Sequence, residues 1–336
     1  MSEAPQVAIV VLNWNGLAMT LECLESLRLQ TWREREIVIL DNGSTGDEAD
    51  RIAGVLVAGE RLVRSASNLG FAGGVNHVIA DLLEGGRFRY FALLNNDAIA
   101  EPEWLAGLVA TAQGDPKIGA VASKMVFHAD PERIENAGVH LLSCGDNLPR
   151  GRGHLAAQWN TGADLLAFCG GAVILRSAML AEIGLFRADF FANFEDVDLS
   201  LRAVVAGWRI RYAPGAVVRH HLNASIAKVR DAAFNVRSIR NTTWAYFVNM
   251  PLGVILANLA GLLCVNVALV LMLSVSGRGA LAKAVIAGRW RAWGERSAIL
   301  AERRRLAPLR RVGAFRIWWA QRAWWREAMS RLTRHG

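Results

Sequence analysis

The 336-residue sequence predicts an α/β protein, a mostly parallel sheet flanked by helices, followed by a helical C-terminal region that associates with membranes. Two observations carry the first part. Short apolar runs rich in β-branched residues alternate with stretches of helical spacing, and each run ends in polar residues. A third observation carries the second part: Asn241–Gly277 contains no Asp, Glu, Lys or Arg, and a basic, tryptophan-rich tail follows it.

In chain order, Val7–Leu12 is a continuous apolar run, as expected of a strand covered on both faces. Leu17, Leu21, Leu24 and Leu27 give Leu17–Leu29 a helical period. Glu36–Leu40 is a second strand ending in Asp41-Asn42-Gly43-Ser44. Residues 47–58 are predicted helical, and Leu62–Arg64 forms a short strand. The glycine-rich stretch Asn68–Gly74 is predicted as a turn before a helix near 75–84. Tyr90–Leu94 is the fourth strand and ends in Asn95-Asn96-Asp97. Further on, Gly170–Leu175 is a strand entered through two glycines, and Glu195–Ala206 is a helix stopped by Gly207. Ile210–Ala213 and Ala216–Arg219 are two short strands ending in His220-His221.

Composition excludes several classes. Apolar residues make up 53% and charged residues 20%, so the chain can bury a large core and is not disordered. The four cysteines (Cys23, Cys144, Cys169, Cys264) form no CxxC pair, which excludes a zinc ribbon or a disulfide scaffold and fits a reducing compartment. Residues 278–336 hold 15 of the 38 Lys+Arg and 3 of the 30 Asp+Glu, so this tail is net +12 and residues 1–240 are net −4. Six of the 12 tryptophans also lie in the tail: Trp290, Trp293, Trp318, Trp319, Trp324 and Trp325. Arginine with tryptophan suits a bilayer interface or stacked nucleic-acid bases. The neighbouring apolar stretch favours the membrane, so no nucleic-acid partner is expected. No signal peptide is visible in the polar start MSEAPQ. The organisation predicted is a globular domain over residues 1–240, an apolar membrane-associating segment over 241–277, and a basic helical tail over 278–336. Leu252–Ser276 is long enough to cross a bilayer. A single crossing would separate the globular part from the basic tail, whereas the positive-inside rule wants both on the cytoplasmic side. The expectation is therefore a peripheral or monotopic arrangement on the cytoplasmic leaflet. A buried helical hairpin in a soluble protein is the alternative.

In open parallel sheets, ligands bind beyond the carboxyl ends of the strands. Asn13, Asp41, Asn68 and Asn95–Asp97 gather at those ends. Each could be a turn by itself, because Asn, Asp and Gly tolerate turn backbone; four on one rim indicate a site. Asp97 stands just outside a buried strand, where one carboxylate with diphosphate oxygens and water suits Mg²⁺ or Mn²⁺. Glu195, Asp196 and Asp198 begin a helix among aromatic residues, a setting that raises a carboxyl pKa and makes a general base. The His220-His221 pair reads either as structural or as supplying a metal ligand.

The segments Val10–Gly16, Asp41–Ser44, Asn68–Gly74, Leu94–Asp97 and Phe194–Arg202 occur in that order. In this the globular part, roughly residues 6–222, resembles family 2 glycosyltransferases of the GT-A, Rossmann-like fold, in their rhamnosyltransferase-like bacterial subgroup. The resemblance implies an inverting transferase that uses a nucleotide-diphosphate sugar and a metal ion. It implies that Asn13 and Asp41 contact the nucleotide base and ribose region, with Asn68 beside the nucleotide. Asn95-Asn96-Asp97 stands where the family has Asp-x-Asp, so Asn95 and Asn96 belong to the donor site and Asp97 is the metal ligand. Asp196 matches the catalytic base, Glu195 its neighbour, and His220 a second metal ligand. Asn95 replaces the first aspartate of that motif, which puts more of the metal binding on Asp97. The Gln-x-x-Arg-Trp motif of processive synthases is absent, which implies addition of one sugar. dTDP-rhamnose is the first donor implied and UDP-galactofuranose the second. The acceptor implied is a lipid-linked glycan or cell-surface polysaccharide precursor. A non-catalytic nucleotide-sugar-binding protein at the membrane would not need Glu195-Asp196 together with Asp97. A nucleotidyltransferase would carry a Gly-rich turn with Arg and Lys after the first strand, where Asn13-Trp14-Asn15-Gly16 stands instead.

Overall fold

A computed structural model describes residues 6–221 and 231–321. Its centre is one mixed sheet. The first half of the chain lays down β1 (Val7–Asn13), β2 (Arg35–Asp41), β3 (Glu60–Arg64) and β4 (Tyr90–Asn95) as parallel neighbours. Helices α1 (Leu17–Arg28), α2 (Glu48–Ala53) and α3 (Gly70–Glu84) connect them. Later come β5 (Ala98–Ala100), α4 (Trp104–Gln113), β6 (Ile118–Phe127), β7 (Ile134–Asn136), β8 (Val139–Leu141), β9 (Asn147–Pro149) and β10 (Ala163–Leu165). They are followed by β11 (Ala172–Arg176), α5 (Ser177–Ile183), α6 (Glu195–Val205) and β12 (Arg209–His220). The strand order is β10-β12-β6-β11-β4-β1-β2-β3, with β5 on β12 and β7 on β6. β11 runs antiparallel to both β4 and β6, so the sheet changes direction beside β4.

Period-two burial explains the central strands. Val7, Ile9 and Val11 of β1 enter one core with Leu24 and Leu27 of α1, while Ala8 and Val10 enter the opposite core with Val75 and Ile79 of α3. Both faces are covered, so the strand reads as one uninterrupted apolar run.

Three sequence boundaries are corrected. The helix predicted over 47–58 stops at Ala53, because Gly54 ends it and the following Val55-Leu56-Val57 favours extended backbone. The glycine stretch is not a turn ahead of α3 but its first turns, which begin at Gly70. Gly70 has φ +72°, and a Cβ there would lie 2.4 Å from the Phe191 carbonyl oxygen, so only glycine lets α3 start this close to its neighbour. The two strands predicted over 210–219 are one strand, β12. Its register on β6 shifts between Ala213 and Val217, where Pro214 offers no N–H to the ladder.

Over residues 231–321 the chain is helical: α7 (Ala232–Asn249), α8 (Leu252–Val275), α9 (Gly279–Gly294), α10 (Arg296–Arg305) and α11 (Ala314–Ala320). The charge-free stretch divides at Met250-Pro251. In α7, Asn241, Trp244 and Asn249 are buried against the sheet domain. There Asn249 Nδ2 donates to Asp198 Oδ1 at 2.8 Å. α8 has a mean hydropathy of 2.5, and only 17% of that apolar window is buried. Its inner face, Val254, Asn258 and Leu262, packs inward, whereas Leu256, Leu263, Val267 and Leu271 are exposed. Trp324 and Trp325 of the basic tail lie outside the described residues.

Candidate active site

A cavity of about 260 Å³ opens beyond the carboxyl ends of β1 and β4. Its lining includes Asn68, Asn95, Asn96 and Asp97 together with Glu195, Asp196 and His220. Topology brings these together. Asp97 follows β4 directly, whereas His220 ends β12, and the short strand β5 pairs Ala98 with His220. His220 Nε2 thus stands 3.1 Å from Asp97 Oδ1. Burial alone would push the imidazole down. The Asp97 and Glu135 carboxylates more than offset that and hold it up at about 9. His221 turns away and stacks on His128 with ring centroids 3.7 Å apart, so of the two histidines His220 faces the cavity.

α6 begins at Glu195, and its first turn aims at the cavity. Asp196 Oδ2 accepts from the Gly170 N–H at 2.9 Å and Oδ1 from the Val197 N–H at 2.8 Å. Burial raises the carboxyl pKa, and these N–H groups pull back part of that rise. Glu195 is buried, its Oε2 has no hydrogen-bond partner among the described residues, and burial followed by the Asp196 charge pushes its pKa well up. Asp198 is not part of this group. It is fully buried and pairs with Arg202 Nε at 2.9 Å.

The first two strand ends are arranged differently. Asn13 is wholly buried, and its Nδ2 lies 3.0 Å from each of Asp41 Oδ1, Ser44 Oγ and Glu48 Oε2. Thr20 Oγ1 donates to Asn13 Oδ1 at 2.7 Å. Asn13 and Asp41 therefore lie under the cavity, holding β1 to β2, and the side chains that reach it are their neighbours Trp14 and Asn42. Asn68 Oδ1 accepts from Gly70 N at 2.8 Å and from Asn42 Nδ2 at 3.2 Å, which fixes the start of α3. Asn96 donates to Thr20 Oγ1 at 3.0 Å, and Asn95 Nδ2 lies 3.5 Å from His220 Nε2.

Sequence reasoning missed Trp14, Asn42 and Glu135. Trp14 and Asn42 stood inside motifs already singled out. Glu135, on β7, is buried, and its Oε2 lies 3.8 Å from His220 Nδ1. Neither of those two atoms has a hydrogen-bond partner among the described residues. The only sequence signal was an acid beside Ile134 in an otherwise unremarked strand.

Among the described residues no group of three His, Cys, Asp or Glu side chains converges as a complete metal cage. Asp97 and His220 offer one carboxylate oxygen and one imidazole nitrogen side by side at the cavity wall. That donor set fits a divalent cation whose remaining ligands are diphosphate and water oxygens.

A parallel sheet reversing beside β4, with a cavity at the carboxyl ends of its strands, is the arrangement of the GT-A fold class. Residues 5–246 match the family described as glycosyltransferase like family 2, and the chain belongs to that family. It is 27% identical over 254 residues to the N-acetylglucosaminyl-diphospho-decaprenol L-rhamnosyltransferase of Mycobacterium tuberculosis, covering 68% of this chain and 80% of that one. It is 30% identical over 247 residues to the uncharacterized protein y4gI of Sinorhizobium fredii, covering 67% of this chain but only 25% of that relative's length. The fold resembles GalNAc-T7 solved with UDP, GalNAc and Mn²⁺, with a TM-score of 0.58 and 14% identity over 74% of this chain and 48% of that one. It also resembles a mannosyltransferase from Pyrobaculum calidifontis in complex with GDP-Man and Mn²⁺, with a TM-score of 0.53, 18% identity, and coverage of 87% and 88%.

Proposed function

We propose that the chain is an inverting glycosyltransferase that moves one sugar, rhamnose from dTDP-rhamnose as the first candidate, to a hydroxyl of a lipid-linked glycan. The observation that carries this reading is the placement of Asp196. Its carboxylate is fixed by two backbone N–H groups and faces the same cavity as Asp97 and His220. Asp196 takes the proton of the acceptor hydroxyl, and the oxygen attacks the anomeric carbon from the face opposite the diphosphate. One displacement inverts that centre. Asp97 and His220 hold Mg²⁺ or Mn²⁺, which supplies positive charge against the departing diphosphate. Trp14, Asn42 and Asn68 line the nucleotide side, over the Asn13–Asp41 pair. The choice of donor and acceptor draws on the mycobacterial relative's name.

The membrane setting belongs to the same reading. After α8 the chain returns to the catalytic domain: Glu302 pairs with Arg187 at 2.8 Å, Arg311 pairs with Glu182 at 2.6 Å, and Ile317 shares a core cluster with Leu201 and Val205 of α6. Both flanks of α8 thus lie against one domain, which supports a monotopic seat on the cytoplasmic leaflet over a single crossing.

The test is a donor screen with purified protein and Mn²⁺, using a polyprenyl-diphosphate-linked N-acetylglucosamine acceptor. Transfer from dTDP-rhamnose, with inversion at the anomeric carbon, is expected. Transfer from a UDP-sugar alone would replace the donor assignment, and retention of configuration would overturn the mechanism.

A further inference from the structure

The turn that delivers Asp196 into the cavity is held in unfavourable backbone. Phe191, Asn193 and Phe194 have φ of 61°, 72° and 70°. A left-handed non-glycine residue costs on the order of 1–3 kcal/mol and persists only where its surroundings over-determine it. Phe194 is the residue before α6, and its side chain makes no capping bond. Apart from the Ala192 N–H bond to the Phe190 carbonyl at 2.7 Å, the turn is held by contacts from outside it.

Asn241 of α7 supplies the fixing contacts. It is wholly buried. Its Nδ2 donates to the Phe190 and Asn193 carbonyl oxygens at 3.0 Å each, with the Ala192 oxygen at 3.5 Å. Arg240 Nη1 donates to Asn241 Oδ1 at 3.2 Å. Because a guanidinium only donates, that contact sets which end of the amide faces the turn. Asn193 Nδ2 in turn donates to Ser238 Oγ at 3.0 Å. A carboxamide meets these requirements where an isosteric carboxylate cannot, because it would set acceptor oxygens against three carbonyls.

We infer that Asn241 is a positioning residue for transfer: it locks the turn Phe190–Phe194 so that Asp196 faces the acceptor. The inference rests on the reading of Asp196 as the base. A displacement of about 1 Å at a reacting group costs on the order of 100-fold in rate. Asn241→Asp is therefore expected to lower kcat about 10–100-fold. Nucleotide affinity, measured by calorimetry with dTDP and Mn²⁺, should fall by much less than kcat, because Asn241 bonds none of Trp14, Asn42 and Asn68. Amide hydrogen exchange across residues 190–194 should quicken in the folded variant. Ser238→Ala, which removes the Asn193 partner and a bond to the Phe234 carbonyl within α7, should show a smaller loss of kcat in the same direction. Wild-type kcat in Asn241→Asp overturns the inference. So does loss of nucleotide binding in step with kcat, which would mark a merely structural residue. Should Asn241→Asp fail to fold, Ser238→Ala decides, and wild-type kcat there overturns the inference. Full transfer by Asp196→Asn overturns the base assignment, and it is read in a different variant.

Discussion

Asp196 and Glu195 are sequence neighbours with different surroundings, and that separates their roles. Asp196 has two backbone donors that favour its ionised form, whereas Glu195 has a buried oxygen without a partner. Asp196→Asn should keep the fold and nucleotide affinity and lower turnover by about two to four orders of magnitude; near-normal transfer by that variant would remove Asp196 from the mechanism. Burial raises the Asp196 pKa, so the acidic limb of kcat/KM should lie above the ordinary carboxylate range, with activity falling as pH drops through it. Glu195 sets a pH dependence of stability. Burial and the Asp196 charge raise its folded-state pKa above the ordinary 4.5, so its contribution is fully present below that value and is lost as pH rises through the folded pKa. Glu195→Gln should therefore gain stability over the wild type as pH rises toward 9, in urea titrations run at several pH values, and equal pH profiles would refute this. Glu135 makes a third case. If Asp97 and His220 hold a cation, the Glu135 carboxylate, 3.8 Å from His220 Nδ1, orients the ring by its charge. Glu135→Gln should weaken Mn²⁺ affinity about 10–100-fold, read by paramagnetic resonance of free Mn²⁺. An unchanged affinity would remove Glu135 from the metal site.

The elements differ in how far the sequence reveals them. β1, β2 and β4 are legible because both faces are buried, which leaves uninterrupted apolar runs with polar ends. The polar residues at those ends are equally visible, but their directions are not. Asn13 and Asp41 look like ligand contacts in sequence, and only the pairing of β1 with β2 shows that they bond to each other. The same limit applies to the three acids that open α6. Period 3.6 separates Asp198 from Asp196 by about 200°, which turns it from the cavity toward Arg202 and α7. Residues 98–168 were the least legible part, since β5 and β7 to β10 are three residues each and too short to show a period. Asp198 pairs with Arg202 within α6 and joins α6 to α7 through Asn249. Asp198→Ala leaves Arg202 buried without its paired charge and should cost about 3–5 kcal/mol in chemical denaturation. A loss under 1 kcal/mol would show that apolar packing alone docks α7.

At the scale of the whole molecule, the exposed apolar surface and the positive charge lie in the same C-terminal region. α8 is 24 residues long, about 36 Å, and shows a leucine-rich face along its length. Trp290 and Trp293 on α9, with Phe315 and Trp319 on α11, are also exposed. A contiguous apolar surface of this extent in water marks an interaction site or an aggregation hazard. The Arg and Trp composition around it matches an anionic bilayer interface, where each basic residue near the surface contributes about 1 kcal/mol. The protein should float with phosphatidylglycerol vesicles at low salt, and binding should weaken but persist at 0.5 M salt, because charge is screened and apolar burial is not. Replacing Trp290, Trp293 and Trp319 together with alanine should reduce the fraction floated without changing nucleotide affinity. Topology is read separately in cells. With Cys264 replaced by serine, Ser276→Cys at the far end of α8 should resist an impermeant thiol reagent added from outside and react once the membrane is opened. Labelling from outside would establish that α8 crosses and overturn the monotopic seat, whereas a protein that stays monomeric in buffer and never floats would place the leucine face in water and refute membrane docking.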